Sequence, residues 1–426
     1  MKTSSTASSL CKKNPPRFFY GYVIIIVSFF IMAVTFGINY SFGVFFKPLI
    51  QEFGWPRGVT SGAYSVMTCI AGILSIFAGR LSDRFGPRIM GIAVGLFLGI
   101  GFILLSRISS LWQFYLIHAL ILSAGNGACW AGLIPPIARW FIAKRGLVTG
   151  VVVSGIGFGV LLLPPLAQWI ISNYHWRKAY VIIGTFTLIL IIAISWFLRR
   201  DPYEMGCVAY GESRETAGNG PPDEDGYFFK EAVRTAPFTL ICVLYFSYGY
   251  CLHTFMVHLV PYAIDLGMTP KSAAGVLAII GIASLANRVL VAGASDRIGV
   301  KTSLVIGFSI LFASQLCIQP AGRIWLLYVF GILFGTAYGG IMSMQALVVA
   351  DFFGLRAIGF IFGTVTFFYT LGGATGPLFS GYLFDLLSSY KPAFGVTTGL
   401  SILSLITAIC LKPPGKKPGT TQSMQE

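Results

Sequence analysis

A charged segment occurs twice in this chain, as Gly79-Arg-Leu-Ser-Asp83-Arg84-Phe-Gly86-Pro-Arg88 and as Ala292-Gly-Ala-Ser-Asp296-Arg297-Ile-Gly299-Val-Lys301, each time wedged between long apolar runs. The two copies lie 213 positions apart in a chain of 426 residues, so the sequence reads as two like halves in tandem. Paired halves of this kind, embedded in a membrane, enclose a site where they meet and move against each other around it.

The membrane follows from composition. With 55% hydrophobic and only 11% charged residues, and a mean hydropathy of +0.77, the chain has too little polar surface to cover a soluble body of its size. The apolar runs predict twelve spanning helices, at 22–46, 59–79, 89–105, 111–141, 147–172, 179–198, 237–266, 271–294, 302–319, 323–350, 358–386 and 391–411. Each is near or above the ~20 residues that cross a hydrocarbon core. The expected fold class is therefore an all-α membrane protein of two six-helix bundles.

Formal charge is +15, yet the basic residues form no amphipathic patch interleaved with exposed aromatics, so nucleic acid is not an expected partner. They instead mark orientation. The N-terminal tail, the even-numbered connections and the C-terminal tail carry 21 of the 30 Lys and Arg residues, and the odd-numbered connections carry 8. Both termini are thus expected in the cytoplasm of a cell (inner) membrane protein. The polar leader holding Lys12, Lys13 and Arg17 lacks a small-residue cleavage site after the first apolar run, which is expected to stay as helix 1. Segment 199–236 contains eight of the fifteen acidic residues together with many Gly and Pro residues. It reads as a cytoplasmic linker between an N-terminal bundle, 1–198, and a C-terminal bundle, 237–426.

Chemistry-bearing motifs are sparse. No two of the eight cysteines form a C-x-x-C pair, and no glycine loop ends in Lys-Ser/Thr. Neither a metal, a cofactor nor an ATP engine is expected. The spans hold no paired carboxylates, so a membrane enzyme is not expected either.

The repeated loop resembles the motif between helices 2 and 3 of the major facilitator superfamily, through Gly79, Asp83, Arg84, Gly86 and Arg88, and again through Asp296, Arg297 and Gly299. Trp140-Phe141-Ile-Ala-Lys144-Arg145-Gly146-Leu147-Val-Thr-Gly150, followed by Ser154-Gly155-Ile-Gly157-Phe-Gly159, is similar to the helix 4–5 signature of monocarboxylate transporters and of oxalate/formate antiporters. Ser41-Phe-Gly43-Val-Phe-Phe46-Lys47 in helix 1 is similar to that group too. The resemblance implies a gradient-driven transporter. In the loop motif, Asp83 is expected to meet backbone amides at a helix start and an Arg, latching the halves in one state; the alternative is an orientation signal in a tight loop. The glycines of helix 5 are expected to serve close helix packing.

Arg288 carries the functional argument. It lies within span 8, where burying an Arg costs ~2.5–3.5 kcal/mol even on the milder scales. An ion pair would offset that, but the acids outside the linker are Glu52, Asp83, Asp265, Asp296, Asp351, Asp385 and Glu426, all in loops, at span ends or in the tail. An Arg without a protein anion fits a site whose anion is the substrate, because its planar fork can hold a carboxylate by two parallel bonds. The alternatives are snorkelling to the cytoplasmic side and bonding to carbonyls of a broken helix. Transporters of the resembled group have an Arg at this place in helix 8. Two departures from that group are informative. Val365 stands where oxalate/formate antiporters are expected to have a second cation in helix 11, which favours a monocarboxylate over a dicarboxylate. Ser284 and Tyr40 stand where animal monocarboxylate transporters have an Asp and a Lys tied to proton coupling.

His118, His253 and His258 are the titratable candidates left in the spans. His258, just before Pro261, is expected to line a cavity at a broken helix and to couple protons; His253 lies about 140° round the same helix. The ordinary alternative is a satisfied packing histidine. Asn126, Tyr338 and Asn287 are further candidate donors to substrate, with helix-to-helix bonds as their alternative, and Tyr40, Phe367 and Tyr369 are candidate walls. The sequence thus predicts alternating access for a small organic anion such as lactate or pyruvate, accompanied by a proton or exchanged for another anion, with a monomeric unit in the bilayer. A transporter-like sensor is the expectation from another class.

Overall fold

A computed structural model describes residues 19–141, 145–205, 210, 226–319, 323–354 and 356–412. Twelve long helices account for most of them. In the first half they are α1 (Gly21–Phe53), α2 (57–85), α3 (87–105), α4 (111–140), α5 (Arg145–Tyr174) and α6 (Trp176–Ser195). The second half has α7 (Ala236–Asp265), α8 (Pro270–Ile298), α9 (Val300–Ile318), α10 (Ile324–Phe353), α11 (Ile358–Leu387) and α12 (Lys391–Cys410). Among the described residues ten spans are long and apolar enough to cross a membrane. Their outer faces expose side chains such as Leu290 and Ile189, at 67% and 64%, which suits a hydrocarbon solvent and not water.

The repeat is visible in the packing. In the first half α1 pairs with α5, α2 with α4 and α3 with α6; in the second, α7 pairs with α11, α8 with α10 and α9 with α12. The halves meet through α2 against α11 and through α5 against α8, again related pairs. Gly157 and Gly281 permit the second contact: a Cβ on Gly281 would stand 2.5 Å from the Leu161 nitrogen and 2.7 Å from the Gly157 carbonyl oxygen. Two residues to either side, Gly155 and Gly159 face α1 at Phe29 and Ala33. The helix 5 glycines therefore serve packing on two opposite faces, one within the half and one across the halves.

The charged loops are shorter than expected. Helix α2 continues to residue 85 and turns into α3 at Gly86, where φ is +79°, and α8 runs to Ile298 before Gly299 at φ +83° starts α9. A side chain would be strained at either position, which explains glycine at the same place in both copies. Arg84 lies over the Phe85 ring, and the Arg88 guanidinium stacks 3.6 Å from the Trp196 ring centre. Gly79 falls within α2, and the side chains of Asp83, Asp296 and Arg297 lie outside what is described. The same offset of 213 positions relates two anchors of the linker: Tyr210 bridges to Phe141 after α4, and Gly226 bridges to Gly354 after α10.

Candidate functional site

A cavity of about 120 Å³ lies between the halves. The first half contributes Phe36, Asn39 and Tyr40 from α1, Met67 and Ser75 from α2, and Asn126 and Trp130 from α4. The second contributes His253 from α7, Tyr338 and Met342 from α10, and Thr366, Tyr369 and Thr370 from α11. Tyr40, Tyr338, Tyr369 and His253 form one aromatic group, with ring centres 6.4 Å apart for Tyr40–Tyr338, 6.2 Å for Tyr40–His253 and 5.4 Å for His253–Tyr369. The hydroxyl of Tyr248 donates to the Tyr338 carbonyl at 3.0 Å and so ties α7 to α10 beside this group.

Arg288 stands directly behind that wall. It is 1% exposed, and its guanidinium carbon lies 4.9 Å from the Tyr338 ring centre. Nε donates to the Ser284 hydroxyl one helical turn earlier, at 3.2 Å. Among the described residues Nη1 and Nη2 have no hydrogen-bond partner and the side chain forms no ion pair. A buried cation with two free donors is expensive unless a ligand meets it, since desolvation costs several kcal/mol per ion. The aromatic face of Tyr338 offsets part of that. It cannot satisfy the four N–H bonds that Nη1 and Nη2 carry.

The other candidates divide. Tyr40, Asn126, Tyr338 and Tyr369 face the cavity. Asn126 Nδ2 donates to the Leu122 carbonyl at 2.9 Å, and its Oδ1 accepts from Asn39 Nδ2 at 3.2 Å. The side-chain amide oxygen of Asn39, Oδ1, is left without a partner. Asn287 is outside the wall: its Nδ2 donates to the Thr336 carbonyl at 2.7 Å, the helix-to-helix bond that was the alternative reading. Phe367, two residues from Tyr369, is 50% exposed on the outer face of α11 and is not a wall residue. The expectation for His258 also needs correction as to place. Helix α7 runs unbroken through Pro261, and His258 packs away from the cavity, with Nδ1 3.0 Å from the Tyr390 hydroxyl and Nε2 2.9 Å from the Pro377 carbonyl.

His253 takes the place in the wall that was expected of His258. Its Nδ1 lies 3.0 Å from the Gly249 carbonyl, one turn back. A carbonyl can only accept, so Nδ1 carries the proton and Nε2 is the basic nitrogen of the ring. His118 is buried elsewhere in the first half, bonded to the Phe114 carbonyl at 2.8 Å. His253 was among the titratable candidates, with His258 preferred to it, while Asn39 and Trp130 were not singled out from the sequence. The usable signal was the angular offset on α7, because the face of His253 also carries Gly249, which abuts Tyr369.

Two bundles of membrane-spanning helices, related by an internal repeat and enclosing a cavity at their interface, define a class of transport protein. The chain belongs to the Major Facilitator Superfamily, whose family model matches residues 25–318 and 289–426. Its relatives include monocarboxylate transporter 13 of Bos taurus, 27% identical over 96% of this chain and 94% of that one. Human monocarboxylate transporter 12 is 24% identical, over 92% of this chain and 80% of its own length. The uncharacterized MFS-type transporter YhjX of Escherichia coli (strain K12) is 21% identical over 79% and 82%. The fold matches that of a bacterial homolog to the human lysosomal transporter Spinster, solved in an inward-facing and unoccupied conformation, with a TM-score of 0.66, 14% identity and coverage of 94% and 95%.

Proposed function

We propose that the protein carries a small monocarboxylate, of the size of lactate or pyruvate, across the membrane by alternating access, with a proton moving in the same direction. The observation that carries this reading is the buried Arg288 guanidinium, with both terminal nitrogens unpartnered, one side chain behind the cavity. A carboxylate supplies the two acceptors in the plane that the fork requires. Tyr338 stands between the cavity and Arg288, so the substrate reaches the fork as that ring moves aside. Asn39, Tyr40 and Tyr369 then enclose a short carbon chain.

One buried cation suits one carboxylate. Val365, where a second cation is expected in dicarboxylate relatives, is fully buried in α11 and apolar. Arg288 keeps its charge through the cycle, so a proton on His253 or on the bound acid accompanies the anion and no net charge crosses the membrane. The charge rule for loops puts both termini, and the linker 199–236, on the cytoplasmic side of the cell membrane. Bundles 1–198 and 237–426 are the bodies that rock. The end of the molecule holding residues 54–56 and 266–269 therefore faces outward.

Uptake of labelled lactate into reconstituted vesicles tests the reading. An inward proton gradient should accelerate it. Uptake that needs preloaded anion and ignores the gradient would mean exchange, and no uptake above empty vesicles under either condition would overturn a monocarboxylate substrate.

A further inference from the structure

The end of the molecule that holds residues 54–56 is closed by side chains from both halves, and they form one directed hydrogen-bond chain. Arg57, at the start of α2, donates from Nη1 to Asp265 Oδ2 at 2.7 Å and to the Tyr390 hydroxyl at 2.9 Å. Its guanidinium lies 3.8 Å from the Phe384 ring centre. The backbone N–H groups of Arg57 and Gly58 donate to the two carboxylate oxygens of Asp385, at 2.8 and 2.6 Å. Asp385, on α11, thus caps the amino end of a helix that belongs to the other half, where the helix dipole favours an anion. Lys47 Nζ meets Asp265 Oδ1 at 2.6 Å. Every one of these bonds joins residues before 60 to residues after 260.

His258 sits at the buried end of the chain. The Pro377 carbonyl can only accept, so Nε2 carries a proton and donates to it. Nδ1 is then the lone pair that accepts from the Tyr390 hydroxyl, whose oxygen accepts in turn from Arg57. This order holds only for a neutral imidazole. A proton on Nδ1 would leave the Tyr390 O–H without its acceptor and place a second cation beside Arg57. The charged and titratable groups around the ring are Lys47 from α1, Arg57 from α2, Tyr262 and Asp265 from α7, Asp385 from α11 and Tyr390 before α12.

We infer that Arg57, with Asp265, Asp385 and Tyr390, is the gate that closes this end of the transport path, and that the gate shuts only when His258 is neutral. This rests on the alternating-access reading above and gives His258 a part in the cycle that does not involve touching substrate. Protonation from this side loosens the gate, and loss of that proton allows it to close behind the bound anion.

The test reads distance across the gate and needs no substrate, so it stands apart from the identity of the cargo. Spin labels at Gln51 and Lys271, both exposed, are placed in a background cleared of reactive native cysteines. At pH about 7.5 wild type should give one short distance, and at pH about 5.5, below the ordinary range of histidine, the longer population should rise about tenfold. Arg57→Ala should show the longer distance at both pH values. His258→Gln, whose amide can give and accept the same two bonds without titrating, should stay short at both. A wild-type distance that ignores pH, a closed Arg57→Ala variant, or a full pH response in His258→Gln would each overturn the inference.

Discussion

The two halves share a scaffold and differ in what they present to the cavity. Counting back eight residues from Asp83 and from Asp296 leads to Ser75 in α2 and Arg288 in α8, equivalent positions in the repeat. Ser75 lines the cavity, and its hydroxyl is spent on the Gly72 carbonyl of its own helix, 2.7 Å away. Arg288 is buried behind Tyr338 with two nitrogens free. Helix pairings, interface glycines and the positive-φ turns at Gly86 and Gly299 recur in both halves; the charge does not. Duplication therefore accounts for packing, which must match on both sides if the halves are to rock. A monocarboxylate, as proposed above, needs one cation only, which leaves the chemistry at this position free to diverge.

Removing the charge should have the largest effect. Arg288→Ala should lower uptake about a hundredfold, the worth of a bidentate charge-assisted pair of ~3 kcal/mol. Arg288→Lys keeps a cation but loses the planar fork, and an intermediate loss of about tenfold is expected. Vesicle uptake at matched protein incorporation checks both, and near-normal transport by the Lys variant would remove Arg288 as a geometric clamp. A smaller and more selective effect belongs to His253. Gln at this position keeps a hydrogen-bonding side chain in the wall without a titrating nitrogen. Uptake should persist in vesicles with no pH difference, while the acceleration by an inward proton gradient should fall to about twofold or less. An undiminished gradient response would leave coupling to direct protonation of the bound acid.

The contrast between the halves was partly legible in the sequence. Two charged loops in one register, with apolar runs of spanning length between them, were enough for the helix order and the duplication, because lipid demands long uncharged helices. Arg288 stood out because no carboxylate lay near it in depth. What could not be read was which way each side chain points. Tyr369 and Phe367 are two positions apart on α11, about 200° round the helix, and one meets the cavity while the other meets the outer surface. Both are aromatic rings in an apolar span, and a tyrosine hydroxyl suits a helix contact as well as a cavity, so residue type does not tell which way either ring points. His253 and His258 pose the same problem on α7, where nearly every face is buried. Proline misled as well: Pro261 removes one donor, yet α7 continues through it because packing on every side holds the helix.

The smallest expected effect makes the sharpest test of the comparison. If Ser75 is only the packing counterpart of Arg288, its hydroxyl matters to its own helix and not to the anion. A Ser hydroxyl bonded back to the preceding turn adds little to a helix and slightly disfavours it. Ser75→Ala should then change uptake by less than about twofold and leave thermal stability within ±0.5 kcal/mol, as for other substitutions away from a network. A large loss of uptake with unchanged stability would mean that the hydroxyl turns from Gly72 towards the substrate during the cycle. Both halves would then contact the anion at equivalent positions, and the repeat would extend from packing into recognition.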